Sequence, residues 1–310
     1  MDDGIEVWSG GVNTWECDEM GHMNVRFWLA KALEALAGLA ARLGMPEAFA
    51  THATATLIVR EQHMRFLREA RAGVSLSATA GVVEMGETEA RVLVVMRHLS
   101  GEPAATFQIV VAHVTAADLR PFPWPDRIRA AAQALKVEVP AYAAARSIDL
   151  APATAPTASL ARADELGLKR IGLGTLQTAE TDVFGRMRGE MFIGRVSDGV
   201  ARLFGNERPG PALAPGEAPK RIGGAVLEYR VLHIDWPRAG DHLEVRSGFA
   251  DCTSRTRRVF HWLLDPVSGK AWGSAEAVVV SFDLDARKVV DISSEAQAAF
   301  MAQAAPGLAL

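Results

Sequence analysis

Residues 15–24 read Trp15-Glu16-Cys17-Asp18-Glu19-Met20-Gly21-His22-Met23-Asn24 and run straight into an apolar, helix-periodic stretch. A carboxylate placed there can attack a carbonyl itself or activate a water to do so. The unpaired amides of a helix start carry partial positive charge, and they polarise a carbonyl or hold the oxyanion formed from it. Asp18 is the candidate for the attack, as general base or as nucleophile. The N–H groups around Gly21, His22, Met23 and Asn24 are the candidates for the oxyanion. Gly21 also suits a positive φ or a close backbone approach, and Asn24 suits an N-cap. His22 either orients Asp18, touches the substrate or packs against backbone. Glu16 and Glu19 read as solvated.

The element that must position these groups is a helix over residues 25–43. Trp28, Leu29, Ala32, Leu33, Leu36, Leu39 and Leu43 fill one arc of it, while Arg26, Lys31, Glu34 and Arg42 fall in the other; Gly44 and Pro46 supply the stop. Alternation and β-branched density then predict strands over 55–67, 74–84, 90–99 and 104–115, joined by turns at 85–87 and 100–102. Hairpin connections make them antiparallel.

The pattern returns. Asp182 follows Asp18 by 164 positions, and Gly185 and Met187 follow Gly21 and Met23 by the same interval. A second helix of about four to five turns is expected next, then strands over 225–234, 242–251, 256–264 and 271–282. The chain reads as a fused tandem of one α+β module: a first module over 1–118, a Pro/Ala-rich linker with short helices over 119–167, and a second module over 168–310. Short helices are expected at 126–135 and 160–166, a low-complexity linker at 151–158, a Pro/Gly-rich loop at 206–221 and a surface helix at 293–303.

Strand, Asp-x-x-Gly-His-Met-Asn, buried helix and antiparallel meander, with the bend at His63–Gly73, together resemble the hotdog-fold thioesterases of the 4-hydroxybenzoyl-CoA thioesterase type. The resemblance covers residues 5–115 well and 169–283 through the internal repeat. It implies two fused hotdog modules, each a sheet wrapped around a long helix, standing in for the usual dimer. It implies hydrolysis of an acyl-CoA or acyl carrier protein thioester, with Asp18 attacking and the helix-start amides holding the oxyanion. No cofactor is expected beyond the coenzyme A of the substrate. Basic residues near the site would meet its phosphates, and the candidates are Arg65, Arg68 and Arg71 in the first module and Arg255, Arg257 and Arg258 in the second. Trp8, Trp15, Phe27 and Trp28 are candidates to line an acyl pocket, although aromatics at such spacing are usually core.

In the second module His22 and Asn24 are answered by Arg186 and Arg188. That half reads either as a degenerate partner, the favoured reading, or as a second active site built on Asp182, with Glu190 as an alternative carboxylate. Two other readings stay open: an acyl-thioester hydratase or dehydratase, and a non-catalytic acyl-CoA binder. The second is favoured if Asp18 sits in a salt bridge or the helix end is closed.

The 310 residues, 49% hydrophobic and 23% charged, suit a globular protein of about two domains, and a net charge of −4 leaves no footprint for nucleic acid. No metal-ligand spacing, phosphate-binding Gly-rich loop or serine-hydrolase elbow appears. No stretch has the length and apolarity of a membrane span and the start lacks a leader pattern, so a cytoplasmic location is expected; self-association of the fused pair into a homo-oligomer stays open. Two cysteines, Cys17 and Cys252, are expected to be free thiols.

Overall fold

The computed structural model describes residues 3–152, 158–204 and 222–310. The chain divides into two compact units: Met1–Arg146 with Leu176–Ile193 and Trp236–Gly240, and Ser147–Thr175 with Gly194–Asp235 and Asp241–Leu310.

In the first unit, β1 (Ile5–Gly11) leads through a short 3₁₀ turn at Thr14–Glu16 to helix α1 (Val25–Arg42), then to β2 (Ala55–Phe66), β3 (Ser75–Met85), β4 (Glu89–His98) and β5 (Pro103–Thr115). The strands pair antiparallel in the order β1-β3-β4-β5-β2. Helix α1 lies on β1, β3 and β4 and buries Trp28, Leu29, Ala32, Ala35, Leu36, Leu39 and Ala40. The helix approaches β1 so closely that a Cβ on Gly38 would stand 2.5 Å from the Val7 carbonyl oxygen. Lys31 departs from the expected polar arc: it is buried, and its Nζ reaches Glu16 Oε1 at 2.8 Å. Glu16 is therefore buried too, contrary to the solvated placement expected for it. A charged pair this enclosed is stable only because each member is the other's partner.

Helix α2 (Asp126–Ala134) follows, within the stretch expected as linker. It is fastened to β3 by Val82 N–H to Leu135 O and Val137 N–H to Val82 O, both at 2.9 Å. Arg65 continues the attachment, donating to the carbonyls of Tyr142 and Ala144 at 2.9 and 3.0 Å.

In the second unit, α3 (Leu160–Glu165) and β6 (Lys169–Thr175) precede α4 (Glu190–Gly199), whose first residues to Ile193 fall in the first unit, and then α5 (Ala201–Phe204), β7 (Ile222–His233), β8 (His242–Cys252), β9 (Thr256–Leu264), β10 (Ala271–Asp283), β11 (Lys288–Val290) and α6 (Ser294–Met301). The order is β7-β10-β9-β8-β6, all antiparallel, with β11 on the outer end of β10. Helix α6 is held to β8 by Phe300, whose ring meets Phe249 edge-on at 5.2 Å.

Both halves are hotdog modules, and the repeat extends to their irregularities. Register shifts fall between Glu6 and Trp8 in β1 and between Arg170 and Gly172 in β6, and between Val82 and Glu84 in β3 and Phe249 and Asp251 in β8. The second helix is where the modules part. The expected four to five turns are a helix of 10 residues and a further one of four. Gly194 and Gly199 weaken helix propensity there, and a Cβ on Gly199 would stand 2.4 Å from the Ile171 carbonyl oxygen.

The unit limits cut across the expected 119–167 linker because α2 belongs to the first body and α3 to the second. They also place the second acid loop, 176–193, in the first unit. A Cβ on Gly189 would meet Leu33 at 3.0 Å and Trp236 at 3.8 Å. The expected loop 206–221 and residues 153–157 of the expected linker lie outside the described residues. Cys17 and Cys252 are free thiols. Among the described residues, no helix is long and apolar enough to cross a membrane.

Candidate functional site

The loop ahead of α1 is a closed hydrogen-bonded structure built on Asp18. Asp18 Oδ1 accepts the N–H groups of Met20 at 2.9 Å and His22 at 3.1 Å. The Asp18 amide donates to the His22 carbonyl at 2.8 Å, and Gly21 donates to the Asp18 carbonyl at 2.9 Å. Gly21 has φ +76, and a Cβ there would meet nothing within 4 Å, so backbone conformation alone requires glycine. Asn24 caps the helix through Oδ1 to the Arg26 amide at 2.9 Å.

The amides expected to hold an oxyanion are already engaged. His22 N–H serves Asp18, Met23 N–H serves the Ala70 carbonyl at 2.8 Å, and Asn24 N–H serves the Glu16 carbonyl at 2.9 Å. Arg26, Phe27 and Trp28 donate to Asn24. Val25 is left as the helix-start amide with no carbonyl partner among the described residues. The electrophilic position thus shifts one residue into the helix, because the loop consumes its own donors.

The second loop reproduces these bonds at the same 164-residue interval. Asp182 Oδ1 accepts Phe184 N–H at 2.9 Å and Arg186 N–H at 3.0 Å, Asp182 N–H donates to Arg186 O at 2.7 Å, and Gly185 again has φ +76. The difference lies at the second carboxylate oxygen. Asp182 Oδ2 accepts both Nε and Nη2 of Arg186, at 2.9 and 2.8 Å, and the Arg186 side chain is only 5% exposed. Asp18 Oδ2 makes no hydrogen bond or ion pair among the described residues. Glu190 is buried and paired with Arg188, Nε to Oε1 at 3.1 Å. Both carboxylates of the second loop are thus neutralised.

The His22 side chain, on the same loop as Asp18, meets Glu69 and Arg71. His22 Nε2 lies 3.3 Å from Glu69 Oε2 and 3.3 Å from Arg71 Nη2. Glu69 lies in the His63–Gly73 bend but received no role in the sequence reading, because it stands 47 positions from its partner. Arg26, in the first turn, lies over the Phe27 ring at 5.3 Å, and its Nε is buried without a hydrogen-bond partner.

The other arginines have structural partners. Arg65 holds the stretch after α2, as described above. Arg68 is exposed and 3.8 Å from Glu102. Arg255 pairs with Asp291 at 2.9 Å, and Arg258 pairs with Asp251 and Glu276. Arg257 donates to Ser281 Oγ at 3.0 Å and covers the Phe300 ring; burial pulls its pKa down. Those three belong to the second unit. Of the aromatics, Trp28 is core and meets Phe66 at 6.4 Å, Trp8 lies under Lys31 Nζ at 5.4 Å, and Phe27 is half-buried. Trp15 is 74% exposed.

Comparison with known proteins agrees with this doubled architecture. A provisionally assigned oleoyl thioesterase from Lactobacillus plantarum is similar over nearly the whole chain, at a TM-score of 0.66 and 11% identity over 89% of this chain and 96% of that one. The 12:0-ACP thioesterase from Umbellularia californica gives 0.64 and 12%, over 88% and 93%. An acyl-ACP thioesterase from Bacteroides thetaiotaomicron gives 0.58 and 10%, over 88% and 96%. At these identities the likeness is one of fold. No curated protein matches the chain. The family model for the Thioesterase-like superfamily matches residues 12–132 and again 176–300, one match per module. The chain therefore belongs to the Thioesterase-like superfamily, and it is a thioester hydrolase with two hotdog modules fused in one polypeptide.

Proposed function

We propose that the protein hydrolyses the thioester bond of an acyl-coenzyme A and does so at the first-module loop alone. The observation that carries this reading is the contrast between two otherwise matching carboxylates: Asp182 Oδ2 is held by Arg186, whereas Asp18 Oδ2 is open. Among the described residues Asp18 has no salt bridge, one of the two conditions that would have favoured a mere binder. The other, a closed helix end, is met in part, since Asn24 caps the helix and of the helix-start amides Val25 alone keeps no carbonyl partner among the described residues.

The chemistry needs little else. The two amides on Oδ1 fix the carboxylate and turn Oδ2 toward its task. As general base, Asp18 takes a proton from water while the water oxygen bonds to the thioester carbon. The Val25 amide and the α1 dipole stabilise the negative charge that develops on the carbonyl oxygen. The C–S bond then breaks, the carboxylic acid is released, and the proton held by Asp18 goes to the departing thiolate. As nucleophile, Oδ2 bonds to the carbon directly, the thiolate leaves, and water cleaves the resulting anhydride. Coenzyme A is a good leaving group, so a strong general acid is dispensable. In this reading Arg68 and Arg71, both exposed in the first module, are the cations available to phosphate.

Thiol release from a panel of acyl-CoA thioesters, with an acyl carrier protein thioester as a further arm, tests the reading. Asp18→Asn is expected to lower kcat by about 10²-fold or more, while Asp182→Asn leaves turnover per folded molecule within about twofold. An Asp18→Asn variant as active as wild type would move the chemistry elsewhere. Turnover confined to the carrier-protein substrate would replace coenzyme A as the thiol carrier.

A further inference from the structure

We infer that Arg26 receives an anionic group of the substrate at the Asp18 site. The inference rests on the reading of that loop as the active site and deepens it, by naming a charge that the substrate carries.

Arg26 stands in the first turn of α1, one residue after the Val25 amide assigned to the carbonyl oxygen, and its own amide is taken by Asn24 Oδ1 at 2.9 Å. That turn contains no acidic residue. The peptide dipoles already concentrate positive charge there, so a cation in the first turn opposes the helix that carries it. The side chain is half-buried, and Nε is buried without a hydrogen-bond partner. Among the described residues the guanidinium forms no ion pair and donates no hydrogen bond, and the group it meets is the Phe27 ring, 5.3 Å from Cζ. An aromatic face attracts a cation but offers no oxygen to the N–H donors of a guanidinium. A partly desolvated charge left in this state costs the fold stability.

The repeat shows that the module does not need this cation. At the same 164-residue interval Arg26 is answered by Glu190 and Asn24 by Arg188. Glu190, in the first turn of α4, agrees with the helix dipole and pairs with Arg188 at 3.1 Å. The second loop thus closes its charges internally, Asp182 on Arg186 and Arg188 on Glu190. The first loop leaves two open charges of opposite sign, Asp18 Oδ2 and Arg26. The carboxylate is the attacking group. The guanidinium is left for charge that arrives with the substrate.

A fork of N–H donors matches the paired oxygens of a carboxylate or a phosphate. Two sources supply that chemistry: a carboxylate on the acyl group, as in the monothioester of a dicarboxylic acid, or a phosphate of coenzyme A. The place of Arg26 beside Val25 favours the acyl carboxylate, since exposed Arg68 and Arg71 are already available to phosphate.

Thiol release from adipoyl-CoA and hexanoyl-CoA, and from the same acyl groups on pantetheine, tests the inference in wild type, Arg26→Gln and Arg26→Lys. Wild type is expected to favour adipoyl-CoA over hexanoyl-CoA in kcat/KM by about tenfold or more. Arg26→Gln should bring that ratio near one, chiefly through KM, and Arg26→Lys, which keeps the charge without the fork, should fall between. If phosphate is the source, Arg26→Gln instead raises KM for both coenzyme A thioesters and spares both pantetheine thioesters. Free adipate or free coenzyme A, according to the source, should raise the thermal midpoint of wild type more than that of Arg26→Gln. Arg26→Gln alone is expected to keep or raise the denaturant midpoint, because it removes a charge that opposes the helix. A lower midpoint would make the cation structural and overturn the proposal. So would an equal loss of kcat on every thioester with KM unmoved, or no kinetic change on any. The midpoint shifts require no turnover, so failure of the Asp18 reading shows separately, as an active Asp18→Asn variant.

Discussion

Asp18 and Asp182 are held by the same four backbone hydrogen bonds and differ in what meets the second oxygen, so one substitution type should have opposite consequences at the two places. Asn is close to isosteric with Asp and keeps an acceptor for the two amides. At position 18 the change removes an unpaired charge, and stability should move by well under about 1 kcal/mol while turnover collapses. At position 182 it strands the Arg186 guanidinium, which is buried and loses the one carboxylate it meets among the described residues. Allowing for the 30% exposure of the Asp182 side chain, Asp182→Asn should cost about 2 kcal/mol, read as a lower denaturant midpoint. Equal stability losses in the two variants would contradict the neutralised state of the second loop. The acids themselves were legible in sequence because their spacing to glycine and methionine is kept at both sites. The replacement of His22 and Asn24 by Arg186 and Arg188 was legible too. Which oxygen Arg186 takes was not, since it depends on the loop curling residue 186 back over residue 182. The pairing of Glu69 with His22 was illegible for a different reason: the bend at His63–Gly73 was recognised, but nothing in its spacing ties it to a loop 47 positions earlier.

At the scale of elements, alternation and β-branched density located the eight meander strands closely, and a strand slipped by one residue would exchange its two faces. Periodicity could not reveal that Lys31 turns inward, because its partner Glu16 lies in a 3₁₀ turn on the far side of the acid loop. The pair fastens that loop to α1: Glu16 Oε1 takes Lys31, Oε2 takes the Asn13 amide at 2.8 Å, and the Glu16 carbonyl takes Asn24 N–H. Lys31→Met is expected to destabilise by about 3 kcal/mol, and Glu16→Gln in the same background should recover part of the loss, as thermal or chemical denaturation would register. Additive losses would mean that the two residues do not act as a pair. Helix contact with the first strand allows a prediction whose sign opposes propensity. Gly38→Ala should favour α1 by about 1 kcal/mol in isolation. In the protein the added Cβ would stand 2.5 Å from the Val7 carbonyl oxygen, a backbone atom that cannot swing away. The clash should outweigh propensity and leave a net loss of about 1–2 kcal/mol; a stabilised Gly38→Ala would refute the close approach of α1 to β1.

Across the whole molecule, the two modules share strand register but not core chemistry, and the difference makes stability depend on pH. His261 pairs across strands with Ser247, and at the matching places in the first module Val94 pairs with Ala80. In the second module the Ser247 hydroxyl and His261 Nδ1 are 2.7 Å apart, both residues are enclosed, and Tyr229 lies nearby with ring centroids 6.2 Å apart. Burial drives the His261 pKa down from its usual 6.5 to about 3. The unfolded chain therefore takes up this proton first as pH falls. The contribution is absent above 6.5, and the folded state loses ground progressively between 6.5 and about 3, at up to about 1.4 kcal/mol per pH unit for the one proton. His113, whose pKa is also lowered chiefly by burial, adds to the same acid sensitivity from the first module. Ser247→Ala with His261→Val transplants the first module's pair into the second and removes a titrating group without leaving a polar atom stranded. Urea unfolding of the parent protein is expected to shift to lower midpoints between pH 7.5 and pH 4.5, and the double variant should shift by roughly 2 kcal/mol less. His261→Val alone should show the same flattened pH dependence but a lower stability throughout, because the Ser247 hydroxyl then lacks its partner. A double variant as acid-sensitive as the parent would place the titrating group somewhere other than the core of the second module.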